Sequence, residues 1–247
     1  MNSSSVRRLN RRDFLRSAGL VAAGLGALPS ARIFGQTVTL PFAHGERQMA
    51  TYPQKRSMIL LTTRPPQLET PFSVFNEGLT TPNDAFFVRY HLAGIPTEID
   101  SDAFRTEIKG HVNTPLTLSQ ADLKSFEPVE VVAVLQCSGN SRGFVQPRVG
   151  GGQSGNGAMG NARWKGVRLK DLLDKAGLKA GAKQVTFNGL DKPVLATTPD
   201  FVKALDIDHA MDDEVMVAYE MNGQPLPMLN GFPLRLIVPG YYGTYWV

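Results

Sequence analysis

Short runs of β-branched and aromatic residues, separated by turn signals, constrain the fold of this chain more than any other feature of its sequence. Such runs are typical of β-strands, and they recur from Thr81 to the end of the chain. Helical patterns are fewer. The sequence therefore predicts an α+β domain with a predominantly β core. The predicted strands are residues 86–91, 104–109, 129–136, 184–188, 215–219 and 234–238.

Three short segments carry helix signals. Ser119 is a typical N-cap and predicts a helix that runs to residue 126. Leucines at helical spacing over residues 169–176, followed by Gly177, predict a helix with its C-terminal stop. A Thr-Pro pair opens a third predicted helix, residues 198–205. Residues 36–80 are rich in Pro and Thr, which predicts an extended wrap over the core with few regular elements.

The first 35 residues have the pattern of an export signal. Six arginines and one aspartate give them a charge of 6 − 1 = +5, and the apolar, small-residue run 18–28 follows. That run is too short to span a bilayer. The segment 10–16, Asn-Arg-Arg-Asp-Phe-Leu-Arg, resembles the twin-arginine motif. We therefore expect residues 1–35 to be a twin-arginine signal peptide, rather than a basic amphipathic helix, and the mature protein to be periplasmic without a membrane anchor.

This segment also explains the basic composition of the chain. The formal net charge is +4 and the isoelectric point is near 9.2, so the residues after the signal carry 4 − 5 = −1. A chain near neutrality lacks the basic surface that binds nucleic acid, and we expect no nucleic-acid partner. The single cysteine excludes an internal disulfide and a CxxCH haem motif, so we also expect no haem.

Cys137 is the residue with the clearest chemical potential. It follows the predicted strand 129–136 and opens the sequence Cys-Ser-Gly-Asn-Ser-Arg, which places its sulfur at a strand end. Arg142 would favour the thiolate over the thiol. From the residues alone, three interpretations remain open: an inert buried cysteine, a nucleophile that needs a histidine base, or a soft metal ligand.

Basic residues and glycines mark two further candidate regions. A strand over 86–91 would place Arg89 and His91 on one face, which is either solvated or an oxyanion site. Arg235 lies inside an apolar strand, where its charge requires an anion or a carboxylate. Six glycines between 150 and 160 lack a following GK[ST], so they predict either a flexible surface loop or backbone held close to a large ligand.

Five segments of the chain, in this order, together resemble the sulfite oxidase family of molybdopterin enzymes. The resemblance covers residues 81–247 and implies a mixed, β-rich molybdopterin-binding fold. The basic leader and the missing haem motif are similar to the bacterial periplasmic, haem-free branch. The segments are NDAFFVRYH at 83–91, LQCSGN at 135–140, NARWKGV at 161–167, AYEMNG at 218–223 and GFPLRLIVPG at 231–240.

The resemblance implies a role for each matching residue. Cys137 corresponds to the cysteine that binds molybdenum, and Arg89 and Arg142 correspond to active-site arginines near the substrate oxyanion. Asn230 occupies the place of a pterin-contacting histidine in animal members. The positions implied to contact the molybdenum–molybdopterin cofactor are Phe87, Arg89, Tyr90, His91, Cys137, Asp191, Asn230, Arg235 and Trp246.

The implied function is molybdenum-dependent oxidation of sulfite to sulfate, with electrons passed singly to a periplasmic c-type cytochrome. Two alternatives remain: the molybdenum subunit of a sulfane-sulfur dehydrogenase, and a cofactor-binding fragment without turnover. The sequence around Cys137 disfavours a methionine-sulfoxide reductase.

Two features of the chain depart from the family pattern. Ser154 falls where family members carry an aromatic residue in the substrate pocket. The family also continues, beyond the position of Val247, into an immunoglobulin-like dimerisation domain, and its active-site tyrosine and a further arginine lie there. We therefore expect a truncated chain, and a homodimer where that domain is present.

Overall fold

The computed structural model describes residues 32–247, in which two five-stranded antiparallel sheets organise the chain. The N-terminal sheet keeps its strands in chain order, and each pairs with the next. Its strands are β1 (Arg32–Thr39), β2 (Glu46–Thr51), β3 (Met58–Thr63), β4 (Pro66–Glu69) and β5 (Val88–Arg89).

The N-terminal sheet corrects the prediction of an extended wrap over residues 36–80, since four of its strands include residues of that segment. Met58, Leu60 and Leu68 pack with other buried side chains into a core cluster of their own. The remaining faces of these strands are largely polar and partly exposed. An antiparallel sheet with one solvated face needs few apolar residues, which is why the composition alone gave the wrong expectation.

The second sheet carries the main core. Its strands are β8 (Val129–Gln136), β9 (Met159–Arg168), β12 (Met216–Met221), β13 (Gln224–Pro225) and β14 (Arg235–Ile237). The ten-residue strand β9 pairs with β8 on one side and β12 on the other. Sequence patterns missed β9 because Gly160 and Gly166 interrupt it. A Cβ at Gly166 would lie 2.0 Å from the Val217 carbonyl oxygen, so close packing requires this glycine.

Within residues 32–247, two ribbons and three short α-helices flank the sheets. The ribbons are β6 (Thr106–Ile108) with β7 (Leu116–Leu118), and β10 (Gln184–Asn188) with β11 (Val202–Asp206); the helices are α1 (Gln120–Lys124), α2 (Leu169–Ala176) and α3 (Ile207–Ala210). Ser119 caps α1 in a capping box with Asp122, and Gly177 ends α2 with φ 69°. These two helices confirm their predictions, although α1 is shorter.

Two predictions of local structure are wrong. The predicted helix 198–205 does not form: residues 198–201 lack regular structure, and residues 202–205 lie in β11, which pairs along its length with β10, from Val202 opposite Asn188 to Asp206 opposite Gln184. Tertiary pairing overrides the local helix signal here. The predicted strand 86–91 shrinks to β5, so Arg89 and His91 do not share a strand face. By contrast, β8 and β10 have the predicted bounds, and β6, β12 and β14 lie within three residues of theirs.

Trp164 is the centre of the main core. It is fully buried, its indole Nε1 donates to the Ala133 carbonyl at 3.1 Å, and its ring packs edge-on against Phe86 and Trp246, with centroids 5.9 Å away in both cases. Aromatic rings in this arrangement stabilise a core beyond the area that they bury.

The predicted twin-arginine segment, residues 1–35, lies outside the described residues except for its last four, which begin β1. No helix within residues 32–247 has the length and apolar character needed to cross a membrane.

Candidate active site

A cavity of about 920 Å³ opens where the end of β5, the end of β8, the β10–β11 ribbon and the loops around β14 meet. Its volume lies within the range of small-molecule and cofactor sites. All nine residues that the sequence predicts to contact a cofactor line this one cavity: Phe87, Arg89, Tyr90, His91, Cys137, Asp191, Asn230, Arg235 and Trp246.

Cys137 reaches the cavity because of the alternation along β8. Residues 129, 131, 133 and 135 of this strand are more buried than their neighbours, and Cys137 continues the same face. Its N–H donates to the Ala158 carbonyl at 2.9 Å, and its half-buried Sγ accepts from the Gly139 N–H at 3.3 Å. The hydrogen bond from the Gly139 N–H fixes the position of the sulfur, which is a soft donor suited to a soft metal.

Arg142 and Ser154 do not lie on the cavity wall, although the sequence places both in the active site. After Cys137 the chain turns, and Ser141 has φ 65°. The 3-10 helix Arg142–Phe144 that follows directs Arg142 toward Gly139 and Gly151. Ser154 is buried, and its carbonyl accepts from the Gly143 N–H at 2.9 Å. The reversal of the chain at Ser141 therefore places Arg142 beside the glycine-rich segment rather than on the cavity wall.

The glycine-rich segment does not line the cavity. Its first three glycines, 150–152, are exposed at the surface, whereas the later ones are buried against other parts of the protein: a Cβ at Gly157 would lie 2.0 Å from the Thr70 carbonyl oxygen, and one at Gly160 would lie 2.5 Å from the Phe86 ring. The buried Glu69 carboxylate accepts from the N–H groups of Gly155 and Gly157 at 3.0 and 2.8 Å. These hydrogen bonds connect the end of β4, in the N-terminal sheet, to the backbone just before β9.

Arg89 and His91 lie at the exposed side of the cavity. The His91 ring stacks on Phe201 with centroids 4.2 Å apart. Desolvation, together with the charges of Arg89 and Lys203, lowers the pKa of His91, so its neutral imidazole is favoured at neutral pH.

Arg235 is a buried charge on the cavity wall with an incomplete set of hydrogen bonds. Its Nη1 donates to the Asn230 carbonyl at 2.9 Å, but its buried Nε has no hydrogen-bond partner within the part of the chain that the structure describes. Burial lowers the pKa of Arg235 to about 10, so the guanidinium stays protonated at neutral pH. A buried cationic donor without a protein partner is suited to an anionic group of a ligand.

Tyr90 and Asp191 hold two loops of the wall together. The Tyr90 hydroxyl donates to the Met228 carbonyl at 3.1 Å, and burial raises its pKa to about 12, so it stays a phenol. Asp191 Oδ2 accepts from the Leu92 N–H at 3.3 Å, beside the paired backbones of Gly94 and Lys192.

Trp246 closes the cavity from the C-terminal side. Its side chain is 2% exposed, and its Nε1 donates to the Tyr241 carbonyl at 3.1 Å. The next residue, Val247, accepts through its carbonyl from the Leu236 N–H at 2.8 Å, which fixes this segment to β14.

Lys55 is the residue near the cavity that sequence reasoning missed. It lies in the turn between β2 and β3, is 5% exposed, and donates to the side-chain oxygen of Asn230 at 2.6 Å. No pattern in the surrounding sequence distinguishes it from a surface lysine, because its partners are distant in the chain.

The wall fits a large anionic cofactor that brings a metal. Four Arg or Lys residues line it, against two acidic residues, Glu107 and Asp191, which favours negative charge. Cys137 supplies one soft donor, and no group of three His, Cys, Asp or Glu side chains in residues 32–247 is arranged to hold a metal ion. For the molybdopterin cofactor that the resemblance implies, Cys137 would bind the metal and Arg235 an anionic group. The basic lining residues are Arg89, Arg105, Lys109 and Arg235.

The chain is similar in sequence and in fold to known proteins. Human mitochondrial sulfite oxidase is 40% identical over 188 residues, which are 73% of this chain and 34% of the relative. Sulfite oxidase of Arabidopsis thaliana is 30% identical over 217 residues, 83% of this chain and 55% of the relative. The crystal structure of the sulfane dehydrogenase SoxCD from Paracoccus pantotrophus matches with TM-score 0.61 and 26% identity, over 92% of this chain and 52% of that one. The chain thus spans about a third of the length of its mammalian relatives.

The family comparison covers most of the chain. Residues 91–247, more than half of its length, match the oxidoreductase molybdopterin-binding domain, and they include seven of the ten residues predicted for the site. With the fold and the cavity in agreement, the chain belongs to the family of the oxidoreductase molybdopterin-binding domain.

Proposed function

We propose that this chain is the molybdopterin-binding part of a periplasmic sulfite dehydrogenase, which oxidises sulfite to sulfate and passes electrons singly to a c-type cytochrome. The observation that carries the proposal is the position of Cys137 on the wall of a cavity of about 920 Å³ that it shares with Arg89 and Arg235. Sulfite oxidases at 40% and 30% identity support the choice of substrate.

The residues of this chain would bind and orient the reactants. When bound, the molybdenum cofactor supplies the oxygen-atom transfer and accepts the two electrons released as sulfite and water become sulfate and two protons. Arg89, at the exposed side, would attract the sulfite dianion, because a guanidinium stays protonated and matches an oxyanion geometrically. The neutral His91 imidazole can accept one of the protons released.

The twin-arginine segment supports the periplasmic location, since that route exports proteins that already hold a cofactor. The matched residues are about a third of the length of the mammalian relatives. Where a domain that pairs two copies is present, the protein would be a homodimer. A c-type cytochrome is the proposed partner because such proteins accept one electron at a time and occur in the periplasm.

Metal content gives the direct test of the proposal. We expect the purified protein to hold near-stoichiometric molybdenum and to reduce ferricyanide when sulfite is added, because the cavity offers a thiolate ligand and a positive wall. Mass spectrometry of the metal and a ferricyanide assay measure the two properties. Protein without molybdenum would contradict the proposal, and protein with molybdenum but without turnover would be a cofactor-binding fragment.

A sulfane-sulfur substrate is the second candidate, favoured by the match to SoxCD over 92% of this chain. Both substrates are sulfur anions that the same arginines would bind, so the wall does not separate them. Activity with thiosulfate-type substrates and a partner cytochrome, in the absence of activity with sulfite, would select this alternative.

Removal of the Arg89 guanidinium tests its role in binding substrate. We expect Arg89→Ala to lower kcat/KM for sulfite by an amount equivalent to about 2–4 kcal/mol, because an oxyanion partner is lost. Steady-state kinetics at equal molybdenum content measure this change. Arg163→Ala is the matched control, since Arg163 is exposed on β9 and does not line the cavity. Equal kinetics in the two variants would remove Arg89 from the site.

A further inference from the structure

We infer that Lys55, in the turn between β2 and β3, is a positioning residue for the cofactor cavity: its ammonium holds the Asn230 amide and the backbone of residues 83–86 in place behind the cavity wall. This inference rests on the proposed function. Lys55 lies outside residues 91–247, which match the family domain, so the role belongs to the N-terminal sheet of this chain.

Lys55 uses all of its hydrogen-bonding capacity on this one region. Its Nζ donates to the carbonyl of Asn83 at 2.6 Å, to the carbonyl of Phe86 at 2.9 Å and to Oδ1 of Asn230 at 2.6 Å. An ammonium has three N–H donors and no acceptor. Three acceptors around one buried ammonium therefore satisfy it completely.

The ammonium also decides which way the Asn230 amide points. Since Lys55 only donates, Asn230 must present Oδ1 to it, which leaves Nδ2 to donate to the Phe87 carbonyl at 3.0 Å. The Asn230 carbonyl in turn accepts from Arg235 Nη1 at 2.9 Å. Phe87, Asn230 and Arg235 all line the cavity. Two hydrogen bonds through Asn230 thus connect Lys55 to the Arg235 guanidinium, which would bind an anionic group of the cofactor.

A neighbouring contact reinforces the same segment. Gln54, adjacent to Lys55, accepts through Oε1 from the Met228 N–H at 2.9 Å. The turn between β2 and β3 therefore contacts residues 228–230 twice, although more than 170 positions separate them in the sequence. Such long-range contacts fix a wall that the short 3-10 helix Met228–Asn230 would not hold alone.

The charge of Lys55 has no acidic partner at contact distance within residues 32–247. Its nearest acidic influence, Asp84, forms an ion pair with Arg56 at 2.8 Å instead. Burial lowers the pKa of Lys55 to about 7, and Asp84 opposes that change. The three oxygen acceptors favour the ammonium, because a neutral amine would direct its lone pair at one of them. A protonated Lys55 adds positive charge behind a wall that would bind an anionic cofactor.

The test compares cofactor retention with stability in the full chain. Lys55→Met keeps the approximate length of the side chain but removes the donors. We expect this variant to release molybdopterin about tenfold faster during dialysis, an effect typical of residues that orient the residues in contact with a cofactor. Pterin fluorescence and molybdenum content follow the release. Lys170→Met is the matched control, since Lys170 is on the surface, pairs with Asp213 at 3.4 Å and does not line the cavity. Release at the rate of Lys170→Met would overturn the inference.

A double variant separates positioning from a merely structural role. If Lys55 acts through Asn230, Lys55→Met combined with Asn230→Ala should release the cofactor at nearly the rate of the faster single variant. Release that multiplies the two single effects would show independent action and overturn the inference. A loss of cofactor that only parallels a loss of urea stability in the cofactor-free protein would overturn it as well.

Two further outcomes stay distinguishable. If Lys55→Met does not fold, Asn230→Leu removes the same contact from the other side, and release at the wild-type rate would overturn the inference. Wild-type protein that never holds the cofactor contradicts the proposed function. Wild-type protein that holds it, beside a Lys55→Met variant that holds it equally well, contradicts only the role of Lys55.

Discussion

Cys137→Ser is expected to reduce sulfite turnover to the background of the assay while the protein stays folded. A serine hydroxyl remains protonated at neutral pH and is a hard donor, whereas the thiolate is a soft one that a metal retains. The hydroxyl can accept from the Gly139 N–H as the sulfur does, at 3.3 Å. We therefore expect the free energy of unfolding of the cofactor-free protein to change by no more than about 1.5 kcal/mol. Ferricyanide reduction, molybdenum content and urea unfolding measure these properties.

Ser141→Ala is a suitable control for that exchange. Ser141 lies four positions beyond Cys137, its hydroxyl donates to Asn156 Oδ1 at 2.8 Å, and it does not line the cavity. Turnover should survive in this control. If Cys137→Ser kept its turnover too, the cysteine would be structural and the proposed metal ligand would be wrong.

Trp164→Ala is expected to produce the largest loss of stability. Trp164 is fully buried between Phe86 and Trp246, and its truncation removes two aromatic contacts and the hydrogen bond to Ala133. Such a cavity costs about 3–5 kcal/mol in the free energy of unfolding. Trp246 lines the cavity, so cofactor retention should fall as well. Urea unfolding of the cofactor-free protein measures the first effect directly.

Val132→Ala provides the comparison for the tryptophan. Val132 lies on the neighbouring strand β8, opposite Arg163, and is 57% exposed. Its truncation removes no packed core and should change the stability by about 0.5 kcal/mol or less. Equal losses in the two variants would show that Trp164 does not anchor the core.

The strands that are rich in β-branched or aromatic residues were predictable from sequence. Residues 129–136 and 184–188 form strands with the predicted bounds, because such side chains pack well on the surface of a sheet. Gly177 and Ser119 likewise marked helix ends through local backbone chemistry. The strands of residues 36–80 were not predictable. Their exposed faces are polar, and they are held in an extended conformation by pairing with neighbouring strands.

The sequence by itself predicted a β-rich fold and a strand that ends just before Cys137, and its resemblance to a known family pointed to nine residues that line the cavity. Each of these predictions rests on a local pattern or a short motif. Only the tertiary structure decided that Arg142 turns away from the cavity and that Lys55 reaches Asn230, 175 positions along the chain. Those outcomes depend on a reversal of the backbone at Ser141 and on the packing of two sheets. A single local sequence cannot encode such contacts, because both partners must first be brought together by the fold.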